Sequence, residues 1–237
     1  MQAGFPQPLV RGKDMYTMAA LVQNGRTFLL QNFVATVSQT QWDYVGADDE
    51  RLPRFVLAAG GGEWVDAGLN GGGLALLRGG GLADEGAAFA GQVLSLCRDV
   101  GTALDQVSRW ISLNPNMPAG HIMLGDSECV AVLEHGGGRV QHEVVTGGFV
   151  VRSDYSQFGL VDNGTQNSEL RYERLLEFTE GIYAWMPTLD GEDVVERCCA
   201  VLRQEPLCSE ATSSSAVIEV GDGRVDYFSD RWQTHRL

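Results

Sequence analysis

Asp154 has two neighbours that could join it in acid/base chemistry, because Arg152 lies two positions before it and Tyr155 directly follows. A carboxylate beside a guanidinium stays ionised, so it can accept a proton from a substrate or bind a cationic group. The alternative is an aspartate in a surface turn, where an ion pair with arginine contributes little. Arg171, at a predicted helix start, can bind a carboxylate, orient Asp154 through two parallel hydrogen bonds, or simply face water.

Other short motifs fit structural roles better than chemistry. The segment Gly125 to Cys129 begins like the nucleophile elbow of an α/β-hydrolase but ends in cysteine, where that motif has glycine. The four histidines show no metal-ligand spacing with one another or with the five cysteines. The glycine triplets do not form a dinucleotide fingerprint, because none lies between a strand and a helix with a third glycine in register. The sequence therefore predicts neither a metal nor a cofactor.

Composition narrows the class of protein. With 237 residues, of which 44% are hydrophobic and 20% charged, the chain can bury a large core. The net charge of -14 repels phosphate backbones and anionic lipid, which argues against nucleic acid or a membrane as a partner. No apolar run reaches the length of a membrane span, and the N-terminus lacks an apolar signal core. We expect a cytoplasmic protein with a small-molecule substrate, and a homo-oligomer is possible.

The elements that position these residues can be read from the apolar pattern. A hairpin is predicted over 16–22 and 27–33, because Asn24-Gly25 favours a type I′ turn in which both central residues need a positive φ. Apolar residues that recur three and four positions apart predict helices over 85–100, 102–113, 168–185 and 192–203. Further strands are predicted over 54–59, 73–77, 121–124, 129–134, 139–145, 149–152, 216–220 and 224–228. This order predicts one α+β domain over 15–237 with mainly antiparallel sheets, after a short leader over 1–14.

Five short segments resemble, in the same order, segments of the linear-amide C–N hydrolases. That family contains the penicillin-forming acyltransferase and belongs to the N-terminal-nucleophile hydrolases. Its opening Cys-Thr, hairpin and Gly-Gln-Asn-Trp-Asp resemble Tyr16-Thr17, the Asn24-Gly25 turn and Gln31-Asn32 here. The other matches are Asn70 with Gly73-Leu74-Ala75, the stretch from His121 to Glu134, Ser153-Asp154-Tyr155, and Ser168 to Arg171. The resemblance implies a four-layer αββα sandwich.

The chain also departs from that family at positions that matter for the reaction. In the family an N-terminal cysteine, exposed by self-cleavage, attacks an amide while its own α-amine serves as the base. Tyr16 stands at the matching position, or Met15 if the turn gains one residue, and neither side chain can supply a thiolate. Asp154 replaces the asparagine that stabilises the oxyanion, and a carboxylate would repel that developing charge. Arg171 is retained, and so is Asn32, whose part in the family is mainly structural.

The resemblance and its departures together imply a divergent enzyme of specialised metabolism. It would act on a small amide, ester or acyl-derived metabolite by acid/base chemistry, without a cysteine nucleophile. The residues expected to be catalytic are Asp154, Tyr16, Thr17 and Tyr155, and those expected to bind substrate are Arg171, Arg152, Asn32 and Asn70. Two alternatives stay open: Thr17 as the nucleophile after self-cleavage, or a non-catalytic relative that binds a small molecule or a partner. We expect Tyr16, Thr17, the 153–155 segment and Arg171 to meet in one pocket.

Overall fold

The computed structural model describes residues 16–33, 40–48, 51–59, 64–80, 84–154, 157–159, 166–208, 214–228 and 231–237. The expected leader over 1–14 and Tyr155 lie outside these residues. Within them the chain forms two antiparallel sheets that face each other and four helices that cover their outer faces. The predicted four-layer αββα sandwich is confirmed.

Sheet A carries the two ends of the described chain. Its strands follow the order β10 (Gly148–Ser153), β1 (Tyr16–Gln23), β2 (Arg26–Phe33), β11 (Ser214–Glu219), β12 (Arg224–Phe228) and β13 (Trp232–Arg236). The predicted hairpin joins β1 to β2, and both turn residues have positive φ, 54° at Asn24 and 73° at Gly25. Sheet A therefore places the head of β1 beside the end of β10, where Thr17 pairs with Ser153.

Sheet B is built from strands that follow one another along the chain. In order they are β3 (Thr40–Val45), β4 (Arg54–Ala59), β5 (Trp64–Asn70), β6 (Ala75–Gly79), β7 (Gly120–Gly125), β8 (Val130–Gly136) and β9 (Arg139–Val145). Each strand pairs antiparallel with its neighbour. Strands β3, β5 and β13 were not expected from the sequence.

Four helices complete the sandwich. They are α1 (Asp84–Leu96), α2 (Val100–Leu113), α3 (Gln166–Trp185) and α4 (Gly191–Leu202). Helices α1 and α2 pack on sheet B through residues such as Val93 and Val107, while α3 and α4 pack on sheet A through residues such as Leu175 and Val201. Among the helices that the structure describes, none is both long and apolar enough to cross a bilayer.

Asn32 shows how a polar side chain fastens a helix to sheet A. Its Nδ2 donates to the carbonyl oxygens of Leu202 and Leu207, each at 2.9 Å, and its Oδ1 accepts from the Ser215 hydroxyl at 2.6 Å. The residue is 2% exposed, so water cannot replace these partners. Asn32 therefore fixes the chain at the end of α4.

Replacing Asn32 with alanine should lower the free energy of unfolding by about 3 kcal/mol, because two buried carbonyls lose their donor. Urea unfolding followed by circular dichroism measures the change. Ser112→Ala is the matched control, since it removes one exposed hydrogen bond to Ser108 and should cost under about 0.5 kcal/mol. Equal, small effects of the two substitutions would show that Asn32 does not hold the end of α4.

Candidate active site

Tyr16 stands at the head of β1 and faces the space between the two sheets. Its neighbour on that face, Met18, belongs to the same inter-sheet core, and the Tyr16 side chain is only 5% exposed. The ring lies on Gly79 at the end of β6, where a Cβ would come within 2.1 Å of the ring atom Cδ2. A side chain at Gly79 would therefore push the Tyr16 ring away.

The hydroxyl of Tyr16 contacts a buried histidine of sheet B, which a buried glutamate backs. The strand register places Gly79, His121 and Glu134 side by side across β6, β7 and β8. The Tyr16 hydroxyl forms a hydrogen bond with Nδ1 of His121, and Nε2 of His121 lies 3.5 Å from Oε2 of Glu134. Because a carboxylate can only accept, the imidazole proton belongs on Nε2, and Nδ1 accepts from the phenol. We call Tyr16, His121 and Glu134 the relay.

Glu134 is anchored from a second side. Its Oε2 also accepts the backbone N–H groups of Gln157, at 2.9 Å, and Phe158, at 2.8 Å. The side chains of His121 and Glu134 are both fully buried. These bonds hold the carboxylate behind the imidazole, where it can stabilise a positive charge on His121.

Burial sets the resting protonation of the relay. Loss of hydration raises the pKa of Tyr16 well above its ordinary value, and the carboxylates of Asp154 and Glu134 raise it further, while Arg152 opposes them. Burial also lowers the pKa of His121, which the nearby Glu134 counteracts only in part. Near neutral pH the relay therefore holds a neutral phenol and a neutral imidazole.

Asp154 ties β10 to α3 beside the relay. Its Oδ1 accepts from Nη2 of Arg171 at 2.9 Å, and its Oδ2 accepts from the hydroxyl of Ser168 at 2.6 Å. Arg152, two residues earlier, pairs with Glu143 and donates to the carbonyl of Val151 at 2.7 Å. Asp154 and Arg152 both lie close enough to Tyr16 for their charges to change its pKa.

Four of the residues predicted to form the site therefore meet at one end of the sandwich: Tyr16, Arg152, Asp154 and Arg171. Their roles stay predictions. Tyr155 lies outside the described residues. Thr17, expected as a catalytic residue, does not join them, because successive residues of a strand face opposite sides and Thr17 faces the helix layer.

The two asparagines expected to bind substrate also lie elsewhere. Asn32 faces the end of α4. Asn70 is the last residue of β5, and it lies near the opposite end of β6 from Gly79. Its Nδ2 donates to the carbonyls of Leu94 and Cys97, each at 2.7 Å, and its Oδ1 accepts two backbone N–H groups at 3.0 Å. All of its hydrogen-bonding capacity thus serves the fold.

Sequence reasoning missed His121 and Glu134 as functional candidates. The sequence does show an ionisable residue near the start of one apolar strand, His121, and another near the end of the next, Glu134. A short loop joins the two strands, so the two residues can pair. Across the residues that the structure describes, no group of three or more histidine, cysteine, aspartate or glutamate side chains could hold a metal ion.

Solved structures of amide hydrolases share this architecture. An ortholog of N-acylethanolamine-hydrolyzing acid amidase from Caenorhabditis elegans matches with a TM-score of 0.60 and 13% identity, over 87% of this chain and 93% of that one. Two variants of conjugated bile acid hydrolase from Clostridium perfringens match with TM-scores of 0.59 and 0.62 and identities of 11% and 10%. They cover 93% and 94% of this chain and 92% of their own. The chain has the N-terminal-nucleophile hydrolase fold.

The sequence itself gives no closer assignment, since no protein-family model and no curated protein matches it. At identities of 10–13% the structural likeness concerns the N-terminal-nucleophile hydrolase fold and not the reaction. In this chain the head of β1 carries a phenol backed by an imidazole and a carboxylate.

Proposed function

We propose that this chain is an enzyme that cleaves a small amide or ester by acid/base chemistry through the relay, without a cysteine nucleophile. One observation carries the proposal: the Tyr16 hydroxyl is bonded to Nδ1 of the buried His121, which Glu134 backs. In acid/base enzymes this order, a hydroxyl followed by an imidazole and a carboxylate, lets a proton leave and return to the hydroxyl.

Water is the attacking group in this reaction. As its oxygen bonds to the acyl carbon, its proton passes to the Tyr16 hydroxyl, and the phenol proton passes to Nδ1 of His121. The carbonyl electron pair moves to the oxygen. When the intermediate collapses, the bond to the leaving nitrogen or oxygen breaks, and the leaving group takes the proton back through Tyr16. The balance is acyl compound plus water giving acid plus amine or alcohol.

The resting protonation of the relay supports this role for Tyr16. Because burial and two carboxylates raise the pKa of Tyr16, the side chain is a neutral phenol that passes protons and not a standing nucleophile. Its transient partner is the imidazolium of His121, which the carboxylate of Glu134 stabilises. Low exposure of all three groups strengthens these interactions, since no water screens them.

Asp154, Arg152 and Arg171 shape the site around the relay in this proposal. Arg171 and Ser168 hold the Asp154 carboxylate, and that carboxylate adds to the effect of burial in raising the pKa of Tyr16. Arg152 supplies a positive charge close enough to lower the pKa of the phenol, and in this proposal it favours negative charge on the substrate oxygen.

A non-catalytic relative is the second candidate, and the burial of the relay favours it. His121 and Glu134 have no exposed side-chain area, as expected of a polar network that only joins two sheets. A structural network predicts that changes in the relay cost stability alone, whereas a catalytic relay predicts a loss of turnover in folded protein.

Hydrolysis of para-nitroacetanilide and para-nitrophenyl acetate by the purified full chain tests the proposal. We expect release of the chromophore above the rate in buffer, with intact mass spectrometry showing an unmodified protein during turnover. An acyl adduct on the protein would contradict water as the attacking group. Absence of turnover on both compounds and on wider amide and ester panels would favour the non-catalytic candidate.

Turnover should survive alkylation of cysteine by iodoacetamide near neutral pH. Burial raises the pKa of Cys129 to about 11 and that of Cys198 to about 12, and it also raises the pKa of Cys97 and Cys199. The fraction of reactive thiolate at these four cysteines is therefore small. Activity measured before and after treatment checks this, with peptide mapping of the alkylated residue. Rapid inactivation traced to one cysteine and prevented by substrate would contradict the proposed mechanism.

A further inference from the structure

The backbone that anchors Glu134 comes from the chain between β10 and α3. We call this chain the connection, and the structure describes its residues 154 and 157–159. The N–H groups of Gln157 and Phe158 donate to Oε2 of Glu134 at 2.9 and 2.8 Å. Strand β10 belongs to sheet A, whereas Glu134 lies in β8 of sheet B. The connection therefore leaves sheet A and binds the buried carboxylate of the relay in sheet B.

Three side chains join the two ends of the connection. Asp154 directly follows β10, and Ser168 and Arg171 lie in the first turns of α3. The Asp154 carboxylate accepts from the Ser168 hydroxyl at 2.6 Å and from Nη2 of Arg171 at 2.9 Å. Nη2 of Arg171 also donates to the Ser168 hydroxyl at 3.3 Å. We call Asp154, Ser168 and Arg171 the clasp.

The clasp joins two firmly packed elements and is shielded from water. Strand β10 pairs with β1 up to its last residue, and α3 packs on sheet A through residues such as Leu175. Ser168 is fully buried and Arg171 is 9% exposed, so solvent screens the ion pair little. A chain whose ends are held together has fewer conformations open to it. The clasp therefore restricts where the two N–H groups on Glu134 can lie.

We propose that Asp154 and Arg171 are positioning residues of the relay, which hold the backbone N–H groups of the connection on Glu134. This inference rests on the proposed function. The contacts lead from the clasp through two N–H groups to Glu134, and from Glu134 to His121. A carboxylate fixed in this place stabilises the imidazolium that forms during the reaction. Arg171 then acts through Glu134, which differs from the substrate binding expected from the sequence.

The kinetics of Arg171→Met test this role. We expect kcat on para-nitroacetanilide to fall by about 10–10²-fold, because a displacement of about 1 Å in a supporting group has an effect of this size. KM should change by less than about twofold, since the guanidinium does not contact the substrate. A rise in KM at unchanged kcat would contradict the inference, because it would place Arg171 on the substrate.

Two further substitutions complete the kinetic test. Arg174→Met is the matched control, because Arg174 lies on the same helix and pairs with Glu177 at 2.9 Å, but its side chain is 42% exposed. It should keep the wild-type kcat and KM. Arg171→Lys retains the positive charge, and because the clasp uses one nitrogen of Arg171, it should recover most of the lost turnover. A lysine variant as slow as Arg171→Met would contradict the ion pair as the cause.

Amide hydrogen exchange, followed by NMR, tests the clasp without any turnover. In folded Arg171→Met the amides of Gln157 and Phe158 should exchange at least about tenfold faster than in the wild type, while the amide of Val132 in β8 keeps its rate. Melting temperatures are measured first. Ser168→Ala removes only one hydroxyl from the clasp and should accelerate the same two amides, so it serves if Arg171→Met does not fold. Unchanged exchange in the folded variants overturns the inference, whereas a wild-type protein without turnover rejects the proposed function instead.

Discussion

Tyr16→Phe should lower the turnover number by about 10²–10⁴-fold and leave a folded protein. The substitution removes one oxygen atom and keeps the ring that packs on Gly79. Without the hydroxyl no proton can pass between water and His121. Because the phenol makes no charge–charge contact with the substrate, we expect the loss in kcat and only a small change in KM. Steady-state kinetics on para-nitroacetanilide measure both parameters.

The stability of the variant separates a catalytic relay from a structural one. Removing the hydroxyl leaves Nδ1 of the buried His121 without its donor, at a cost of about 1–2 kcal/mol in the free energy of unfolding. That change leaves most of the protein folded at the assay temperature, so it cannot account for a loss of two orders of magnitude. Tyr44→Phe, at a tyrosine that is 61% exposed, is the matched control and should change neither quantity. Full turnover in Tyr16→Phe would remove the phenol from the mechanism.

The parts of the fold that sequence could predict are those fixed by local chemistry. The first hairpin follows from Asn24-Gly25, which reaches the two positive φ values that its turn requires. The apolar periodicity predicts that the first helix ends at residue 100, but α1 ends at Leu96. The side chain of Asp99 accepts from the backbone N–H of Thr102 and caps the start of α2. Asp99 is a favourable N-cap residue, but the apolar periodicity continues past it, so the periodicity alone does not mark the boundary.

Strand β5 could not be recognised because Ala67 and Gly68 interrupt its strand pattern. A Cβ at Gly68 would lie 2.3 Å from Cδ1 of Leu94, so glycine stands where helix α1 presses on the sheet. Glycine and alanine weaken the alternation on which strand prediction depends. The contact with α1 is a tertiary feature that no local pattern contains.

The candidate site likewise contains residues that the sequence singles out and residues that only tertiary contacts reveal. Tyr16, Asp154 and Arg171 stand at positions that match functional residues of a known family. The stretch from His121 to Glu134 resembles that family too, but both residues belong to strands that are apolar on both faces, which conceals them. Ile122 packs toward the helices and Met123 toward sheet A, so a period of two assigns no inward face to β7. The pairing of His121 with Glu134 depends on the strand register, and their contact with Tyr16 depends on how two sheets meet.

Asn32 and Asn70 show why a polar residue in an apolar strand is ambiguous. Each donates to two backbone carbonyls near the end of a helix, α4 for Asn32 and α1 for Asn70. For Asn32 these partners are 170 and 175 residues away in the chain. The sequence shows an asparagine in an apolar strand, but it does not show the distant backbone carbonyls that its side chain binds. The two asparagines thus serve the two outer layers of the sandwich in the same way.

His135 gives the molecule a second measurable property, a loss of stability in mild acid. It follows Glu134 in β8 and is 2% exposed, and burial lowers its pKa to about 4, aided by the positive charge of Arg78 and by His121, while Glu134 opposes the shift. An unfolded histidine has a pKa of about 6.5. Between pH 6.5 and 4 the unfolded chain therefore binds a proton that the folded chain does not. Stability from this residue is present above pH 6.5 and decreases as the pH falls toward 4.

The expected loss from His135 is about 3 kcal/mol in the free energy of unfolding on going from pH 7 to pH 4, from the difference between its folded and unfolded pKa. His135→Phe has no imidazole to protonate. Over the same pH range its free energy of unfolding should therefore fall by about 3 kcal/mol less than that of the wild type. Urea unfolding of both proteins at several pH values gives the difference between their free energies of unfolding. The contributions of the other titratable groups cancel in that difference. His142→Phe, at an exposed histidine of β9, is the control and should follow the wild-type curve. Parallel curves for wild type and His135→Phe would mean that His135 takes up its proton equally well in the folded chain.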